Sequence, residues 1–473
     1  MQEYQAHVAA VVMDAELELR QRLARARGFD DVEHAARGVA DKVARELLQR
    51  LLEGADEALN QERAAGWQVV AIKERTMVTT VGALRLRRRL YRDAKGKPRM
   101  LLDEELGLPA RMRVSPRLQR LAVSMCSQMP FATAAKTLSD LLPSAPKAVT
   151  LHRLLGQMGE RREEESEELR RRIFEYGEIV RGERQLSRLF VEADGKWIHL
   201  QRTPGERNLE VRVGLAHEGW QVAGQDRWQL KEKQLHFEIQ PGSQFWEGFS
   251  ARLCQRYDLE ETEVVVGGDG AEWIANGASY FKRSHFQLDR FHLARALRRA
   301  LPEKSWRRAY EAATGGEAYK TIAALRNSEH PDAGKVADYI LNNHRGLADY
   351  RLKVQFSDEQ LRSLGAAEGN VDKSIANRMC KRGMAWTKRG ARRMTRVLEA
   401  ERNGVLENYL PTRTTESKRR RALKKVLRRQ AANAQPAPRE EGDWLSSSWA
   451  MEPSSRNSVY AILRHIGKSR TTL

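Results

Sequence analysis

The stretch that decides the fold is Phe190-Val191-Glu192-Ala193-Asp194-Gly195-Lys196-Trp197-Ile198-His199-Leu200. Its apolar residues alternate with polar ones, which predicts two short strands, 190–194 and 197–200, on either side of Gly195-Lys196. A third strand is predicted over 209–215. The chain then alternates: a helix near 245–257, a strand at 264–266, a helix from 271, a strand at 285–288 and a helix from about 291.

Three consecutive strands followed by alternating helix and strand is the order of an RNase H-like α/β fold, in which helices cover a mixed sheet. We therefore expect a core of this kind over 181–300. Around it the sequence predicts a helical segment for oligomerisation (1–65), a small basic β region (66–114), a helix-turn-helix-like DNA-binding region (115–180), a helical insertion (301–360), a basic DNA-contacting helical region (361–410) and a basic, partly disordered tail (411–473).

The charge of the chain points to a polyanionic partner. Its 473 residues include 83 Lys and Arg against 63 Asp and Glu, a formal net charge of +20. No apolar run reaches the roughly 18 residues of a membrane helix, and the three cysteines have neither disulfide-framework nor zinc-ribbon spacing. We expect a cytoplasmic protein that binds neither a membrane nor a small-molecule substrate.

Two acids follow predicted strands. Asp194 ends the first and Asp269 ends the fourth, and these two strands are neighbours in the expected fold. Two such carboxylates would lie within reach of a shared Mg²⁺, as phosphodiester chemistry requires, although a third acid is still needed. Alternatively, Asp269 and Glu272 form a capping box, and Asp194-Gly195 is a hairpin turn.

These motifs resemble bacterial insertion-sequence transposases of the ISLre group, which belong with the Mutator-like DDE transposases. The resemblance covers roughly 70–400. It rests on Glu192-Ala193-Asp194, Gly268-Asp269-Gly270-Ala271-Glu272-Trp273-Ile274, Leu288-Asp289-Arg290-Phe291-His292-Leu293, Thr79-Thr80-Val81-Gly82, Arg87-Arg88-Arg89-Leu90-Tyr91, Leu101-Leu102-Asp103-Glu104, Ala367-Glu368-Gly369-Asn370-Val371 and Met384-Ala385-Trp386-Thr387-Lys388-Arg389-Gly390.

The resemblance implies that Asp194, Asp269 and Glu368 are catalytic and hold two Mg²⁺ or Mn²⁺ ions, with a helical insertion before Glu368. Alternatively Glu368 is an exposed helix residue, and Glu399, Glu401 and Glu407 are then the other candidates. Asp289 and His292 form a D-x-x-H pair that the family carries, which implies support of the active site or of DNA. Their alternative roles are a helix cap and an ordinary histidine.

Several residues are expected to contact DNA. The basic β region offers Arg88, and the third helix of the helix-turn-helix-like region would present its first turns to DNA. Residues 378–429 hold eighteen Lys and Arg against four acids, which favours phosphate contact over a solvated face. Besides Arg88, the expected residues are Lys147, Thr150, Arg153, Arg378, Arg382, Trp386, Lys388 and Arg389, with Trp386 stacking on an unpaired base.

The function expected from the resemblance is a nucleoid-associated DNA transposase that cuts the ends of its element and transfers strands into target DNA. Its partners would be double-stranded terminal inverted repeats, target DNA and further copies of the chain, as a dimer or larger. Two alternatives remain open: a catalytically inactive or domesticated DNA-binding regulator, and an RNase H-like nuclease without strand transfer.

Overall fold

The computed structural model describes residues 2–225, 227–353 and 361–410, so the predicted tail at 411–473 lies outside the described residues. The chain forms two compact units. One comprises the residues up to Ala122 together with Ala132–Ala148, and the other comprises Val123–Phe131 together with Val149–Leu410.

In the first unit, a long helical pair precedes a small antiparallel sheet. Buried and exposed residues alternate along its second strand, so Leu84 and Leu86 face the core whereas Arg85 and Arg87 face solvent. Leu86 packs against Ala55 of the second helix. The elements are α1 (Gln2–Leu23), α2 (Phe29–Gln61), β1 (Gln68–Thr79), β2 (Gly82–Arg92), β3 (Pro98–Arg99) and α3 (Leu101–Glu105).

Three helices occupy the segment predicted as helix-turn-helix: α4 (Pro116–Gln128), α5 (Phe131–Leu141) and α6 (Ala148–Phe174). The third has 27 residues and buries Leu154, Leu155 and Met158 along one side. The first turns of α6 leave Arg153 exposed and Thr150 half-buried, and Lys147 is exposed just before the helix. A helix-turn-helix arrangement of α4 to α6 stays a prediction.

A mixed sheet forms the centre of the second unit. Its strands run in the order β10-β9-β4-β5-β8, with the two pairs on the β10 side parallel and the two on the β8 side antiparallel. Their bounds are β4 (Arg188–Leu200), β5 (Asn208–His217), β8 (Gln234–Glu238), β9 (Glu263–Gly268) and β10 (Ser284–Leu288), and a separate hairpin joins β6 (Trp220–Gly224) to β7 (Arg227–Leu230).

The prediction of two strands over 190–200 was wrong, because β4 runs through both without interruption. Gly195 does not make a turn. A Cβ atom on Gly195 would lie 2.4 Å from Oε1 of Glu210 on the paired strand, so the glycine leaves room for that side chain. The third antiparallel strand is β8, which the sequence reading missed, and Asp194 lies within β4 and not at its end.

Helices cover the sheet and extend the unit beyond it. Phe245, Trp246 and Phe249 of α7 pack on Val191 and Val266 of the central strands, while α9 to α12 share an apolar core of their own. The helices are α7 (Gly242–Cys254), α8 (Glu272–Ala275), α9 (Arg290–Ala300), α10 (Glu303–Thr314), α11 (Ala318–Arg326), α12 (Ala333–Asn342), α13 (Tyr350–Lys353), α14 (Ala366–Val371), α15 (Asn377–Met379) and α16 (Lys388–Arg402).

Two local features surround the last helices. A π-helical segment, Asp372–Ala376, joins α14 to α15, and the short strand β11 (Ala385–Trp386) pairs in parallel with the end of β4. Across the described part of the chain, none of the helices has the length and apolar composition that would let it cross a membrane.

Candidate active site

Asp194 and Asp269 lie side by side at one edge of two neighbouring parallel strands. The last residues paired between these two strands are Glu192 of β4 and Gly267 of β9. Asp194 comes two residues later within β4, Asp269 comes two residues later just after β9, and the charge of Asp269 acts on Asp194. Asp194 is half-buried, and its Oδ1 accepts the N–H of Gly195 at 2.7 Å. The adjacency expected of these two acids is therefore present in the structure.

The charges that act on Asp194 include that of the third predicted acid, Glu368. Burial raises the pKa of Asp194 above its ordinary value, and the carboxylates of Asp269 and Glu368 raise it further. The N–H of Gly195 and the nearby His292 act in the opposite direction. Four of the residues singled out in the sequence thus act on one another electrostatically, although Glu368 comes from a distant helix.

The local bonds of Asp269 are those of a tight turn and not of a capping box. Its Oδ1 accepts the N–H of Ala271 at 2.9 Å, whereas the residue that caps α8 is Ala271 itself, without a side-chain bond. Gly270 has φ +89°, which an L residue rarely adopts. The backbone carbonyl oxygen of Asp269 accepts the hydroxyl of Tyr339 at 2.7 Å. Hydrogen bonds to both the side chain and the backbone of Asp269 therefore fix its position.

Glu368 is exposed in the first turn of α14, and that turn is anchored on β4 by Glu192. The Glu192 side chain is only 2% exposed, and its Oε2 accepts the N–H groups of Gly365 at 2.9 Å and Ala367 at 3.1 Å. A carboxylate at the start of a helix satisfies free N–H groups and favours the helix dipole. Glu192 therefore fixes the helix that carries Glu368 to the strand that carries Asp194.

Asp289 and His292 connect the same elements. Asp289 is the N-cap of α9, where its Oδ1 accepts the backbone N–H of His292 at 2.9 Å and lies 3.1 Å from Nδ1 of the ring. The bond between the two side chains raises the pKa of His292, whereas burial lowers it. The charges of Asp289, Asp269 and Asp194 raise this pKa further. The cap reading is confirmed for Asp289, and the ring also contributes to the charge balance of the acid cluster.

Metal binding can be judged from the donors present. In residues 2–225, 227–353 and 361–410, no three His, Cys, Asp or Glu side chains converge closely enough to coordinate one ion. Asp194, Asp269 and Glu368 nevertheless offer the hard oxygen donors that Mg²⁺ and Mn²⁺ prefer. Their residue types therefore match such an ion, whereas their side chains do not converge on one point in the part of the chain that the structure describes.

Glu399, another candidate for the third acid, has a different place. It is fully buried and forms ion pairs with Arg162 at 2.6 Å and Arg396 at 3.1 Å, while its Oε2 accepts the N–H of Phe237 at 3.0 Å. Burial raises the pKa of Glu399, but Arg162, His236 and Arg252 hold it well below its ordinary range. Glu399 therefore joins α6, α16 and β8 and does not face the acid cluster.

Three expected DNA contacts are buried and were predicted wrongly. Arg88 lies on the core side of β2 and pairs with Asp103 at 2.8 Å. Arg378 is 3% exposed, donates from Nε to the carbonyl oxygen of Cys126 at 2.7 Å, and lies over the ring of Trp386. Trp386 is itself buried, with Nε1 donating to Met379, so its ring cannot stack on a base.

The remaining predicted contacts of this region are exposed, but acids neutralise two of them. Lys388 pairs with Glu206 at 2.6 Å and Arg389 pairs with Glu160 at 2.7 Å, whereas Arg382 is exposed at φ +67°. The sequence suggested a basic region without compensating acids. That expectation was wrong because the acids come from α6 and the loop after β4, far away in the chain.

Sequence comparison matches most of the chain to one family. The model described as "Uncharacterised protein family (UPF0236)" matches residues 26–411. The chain belongs to UPF0236. Asp194, Asp269, Glu368 and the Asp289–His292 pair all lie within the matched range of UPF0236.

Members of UPF0236 in two bacteria align with most of the chain. The "UPF0236 protein in vanSb 3'region" of Streptococcus gallolyticus is 24% identical over 443 residues, which is 87% of this chain and 92% of the relative. In Caldanaerobacter subterraneus subsp. tengcongensis, "UPF0236 protein TTE2489" is 24% identical over 399 residues, 80% of each chain. Another protein of that organism, 22% identical over 385 residues (77% and 76%), has a name that joins eleven locus designations.

Two functional candidates of this UPF0236 chain escaped the sequence reading. The sequence motifs include Glu192 without indicating its anchoring role, and they do not include Tyr339. A signal for Glu192 was present: it is a charged residue inside an apolar strand and lies two positions before Asp194, hence on the same face. Nothing local marks Tyr339, because its partner is the backbone of a residue 70 positions away.

Proposed function

We propose that this UPF0236 protein is a DNA transposase of a bacterial insertion sequence, which cuts the ends of its element and joins them to target DNA by a DDE mechanism. The observation that carries the proposal is that Asp194 and Asp269 come from neighbouring parallel strands and that Glu368 comes from the helix that Glu192 fixes to the same strand, so that the three charges act on one another. Structural ion-pair networks also shift pKa values, but this group has an excess of carboxylates and a single histidine nearby. Such an excess favours a cation site.

The strand order supports an RNase H-like core in this proposal. Strands β4, β5 and β8 are antiparallel neighbours, and β9 and β10 are added in parallel on the other side of β4. The three acids come from β4, from the residue after β9 and from a helix after an insertion whose described part contains α10 to α13. This is the distribution that the resemblance to the ISLre group implies.

Copy number gives independent support. A relative in Caldanaerobacter subterraneus has a name that joins eleven locus designations of one organism. A coding sequence that occupies many loci of one genome is what a mobile element leaves behind when it moves or copies itself. A regulator or a housekeeping nuclease has no such need.

In the proposed mechanism, Asp194 and Asp269 would hold divalent ions from the sheet and Glu368 would hold them from α14. Ions bound there would supply the chemistry that activates water and the freed 3′-OH. Glu192 orients α14, and the cap of Asp289 holds the His292 ring beside the acids, where its charge offsets theirs. The partners are double-stranded element ends and target DNA, and two ends require at least a dimer.

The test compares the native protein with Asp269→Asn on labelled DNA that carries the ends of the element, in Mg²⁺ or Mn²⁺. The amide keeps an oxygen for the N–H of Ala271, so the turn is preserved while a metal ligand is weakened. We expect cleavage and joining to fall by at least about 100-fold, since even supporting residues of metal sites cost 10–100-fold. DNA binding should be retained.

The matched control is Glu272→Gln, an exposed carboxylate three residues away, which should leave both reactions unchanged. Cleavage without joining would indicate a nuclease instead of a transposase. DNA binding without metal-dependent cleavage in the native protein would indicate an inactive or domesticated regulator. Equal cleavage by the native protein and Asp269→Asn would remove Asp269 from the catalytic centre.

A further inference from the structure

Three exposed cations converge beside the helix that carries Glu368: Lys233 before β8, Lys373 in the π-helical segment and Arg402 at the end of α16. We refer to them as the cationic triad. They were not among the residues expected to contact DNA. Their positions in the chain lie far apart, so only the fold brings them together.

Hydrogen bonds fix the triad on a rigid frame. Lys233 donates from Nζ to Oδ1 of Asn370 at 3.1 Å, and Arg402 donates from Nη2 to the carbonyl oxygen of Lys373 at 3.0 Å. Asn403 closes the frame by exchanging two hydrogen bonds with the backbone of Leu235, at 2.8 and 2.7 Å. The loop before β8, the π-helical segment and the end of α16 are thereby held together.

The charge of the triad is not balanced within the part of the chain that the structure describes, where no acidic side chain forms an ion pair with Lys233, Lys373 or Arg402. Three acids are adjacent to the triad in sequence. Glu232 pairs with Arg256 and Asp372 lies 3.5 Å from Lys381, whereas Glu401 has a buried Oε2 without a hydrogen-bond partner among the described residues and forms no ion pair with Arg402. Partial burial lowers the pKa of Lys233, and the charges of Arg402 and Lys373 lower it further. The cations therefore repel one another.

An anion would relieve this repulsion. Lys233 uses one of its three donors on Asn370, and the Arg402 guanidinium retains further N–H groups beyond the one given to Lys373. Lys and Arg donors grouped in this way match a phosphate group. Other exposed cations of the same unit, such as Lys282 and Lys320, are already paired with glutamates at 2.8 and 2.6 Å.

We propose that the cationic triad is a phosphate-binding site that holds the phosphodiester backbone of DNA next to α14. The choice of DNA as the source of the phosphate rests on the proposed function, whereas the affinity for phosphate rests on the triad alone. Asn370 lies two residues after Glu368 on α14 and contacts Lys233, so the triad lies at the helix that carries the third acid. The triad positions the substrate and takes no part in the chemistry.

The experiment measures the salt dependence of binding to a short fluorescent DNA duplex of arbitrary sequence. The triple variant Lys233→Gln, Lys373→Gln and Arg402→Gln should lower the slope of log K against log salt concentration by up to about 2.7, since each lost phosphate contact removes about 0.9. The control triple variant removes the same charge from paired cations, by Lys282→Gln, Arg307→Gln and Lys320→Gln. It should change the slope by much less.

Equal slopes for the two triple variants would mean that net charge alone matters and would overturn the proposal. An unchanged slope for the triad variant would do the same. If the triple variant unfolds at a lower temperature than the native protein, Lys233→Gln alone carries the test, with an expected decrease of about 0.9. A fluorescent nucleotide is the second probe. If the triad variant no longer binds the nucleotide but binds the duplex as the native protein does, the site binds a free phosphate compound and the role in DNA binding is overturned.

Failure of this proposal is distinguishable from failure of the proposed function. If the native protein cuts DNA in Mg²⁺ and the triad variant keeps the native slope, the phosphate-binding proposal is overturned and the transposase proposal stands. If the native protein does not cut DNA and the slope of the triad variant falls, the transposase proposal is overturned and the phosphate-binding proposal stands.

Discussion

Replacement of Glu192 tests how the candidate active site is assembled. The Glu192→Gln side chain keeps an oxygen that can accept the N–H groups of Gly365 and Ala367 but lacks the charge that strengthens both bonds. A hydrogen bond to a charged group contributes about 1.5–3 kcal/mol and a neutral one about 0.5–1.5 kcal/mol. Since burial of the charge is itself costly, we expect a net loss of about 1–2 kcal/mol for the pair of bonds.

Truncation to Glu192→Ala should cost more. It leaves both N–H groups without an acceptor in a place where the native side chain is only 2% exposed. Each buried donor without a partner costs about 1–3 kcal/mol, so the two together should cost about 2–6 kcal/mol. The order of stability should therefore be native, then Glu192→Gln, then Glu192→Ala.

Urea denaturation measures the global change, and amide hydrogen exchange of a peptide covering 361–371 measures the local one. A local loss of 1.4 kcal/mol should speed exchange of that peptide about tenfold. Glu183→Gln, which changes an exposed carboxylate of the same unit, is the matched control and should behave as the native protein. If the free energy of unfolding of Glu192→Ala lies within about 0.5 kcal/mol of the native value and the hydrogen exchange of the 361–371 peptide is unchanged, the anchoring role is refuted.

Three further predictions concern buried groups. Arg378→Met should leave the free energy of unfolding unchanged or raise it by about 1 kcal/mol, because the change removes a buried charge whose Nη1 and Nη2 have no hydrogen-bond partners among the described residues. Thermal unfolding measures the difference, and a loss above about 2 kcal/mol would contradict this prediction. Glu399→Gln should cost about 3–5 kcal/mol at pH 7. This difference should shrink as pH falls from the ordinary glutamate pKa toward the lowered pKa of folded Glu399, because the unfolded native chain then takes up a proton that the folded chain does not; a constant difference down to about pH 3 would contradict it. Burial raises the pKa of the Cys126 thiol to about 12, so native protein at pH 8 should resist iodoacetamide at this residue until it is unfolded, and rapid native labelling would show that the thiol is accessible.

The sequence predicted the elements that depend on local patterns. Short apolar runs marked β4, β5, β9 and β10, and acids after apolar runs marked Asp194 and Asp269. These predictions succeed because a strand that is buried on both faces, such as β9, is a short continuous run of apolar residues in the sequence. The same rule misled at 190–200, where glycine was taken as a turn although it makes room for Glu210 in a continuous strand.

Three predictions about the DNA-binding surface were wrong because the residues are buried. Arg88, Arg378 and Trp386 were expected on a DNA-binding surface but are buried, and Lys388 and Arg389 are paired with acids. Composition counts charges along the chain, whereas binding depends on charges left unpaired in space. The cationic triad shows the converse, because its members are scattered among acids in the sequence and are unpaired where the fold assembles them.

By itself, then, the sequence determined a mixed α/β core, two neighbouring aspartates and a strongly basic chain, since each follows from periodicity or composition. Only the tertiary structure decided which helix brings Glu368 to those aspartates and which cations remain free. The bond from Glu192 to Gly365 spans 173 positions, and the pair of Arg389 with Glu160 spans 229. Contacts at such separations are set by how strands and helices pack, and no local pattern of residues encodes them.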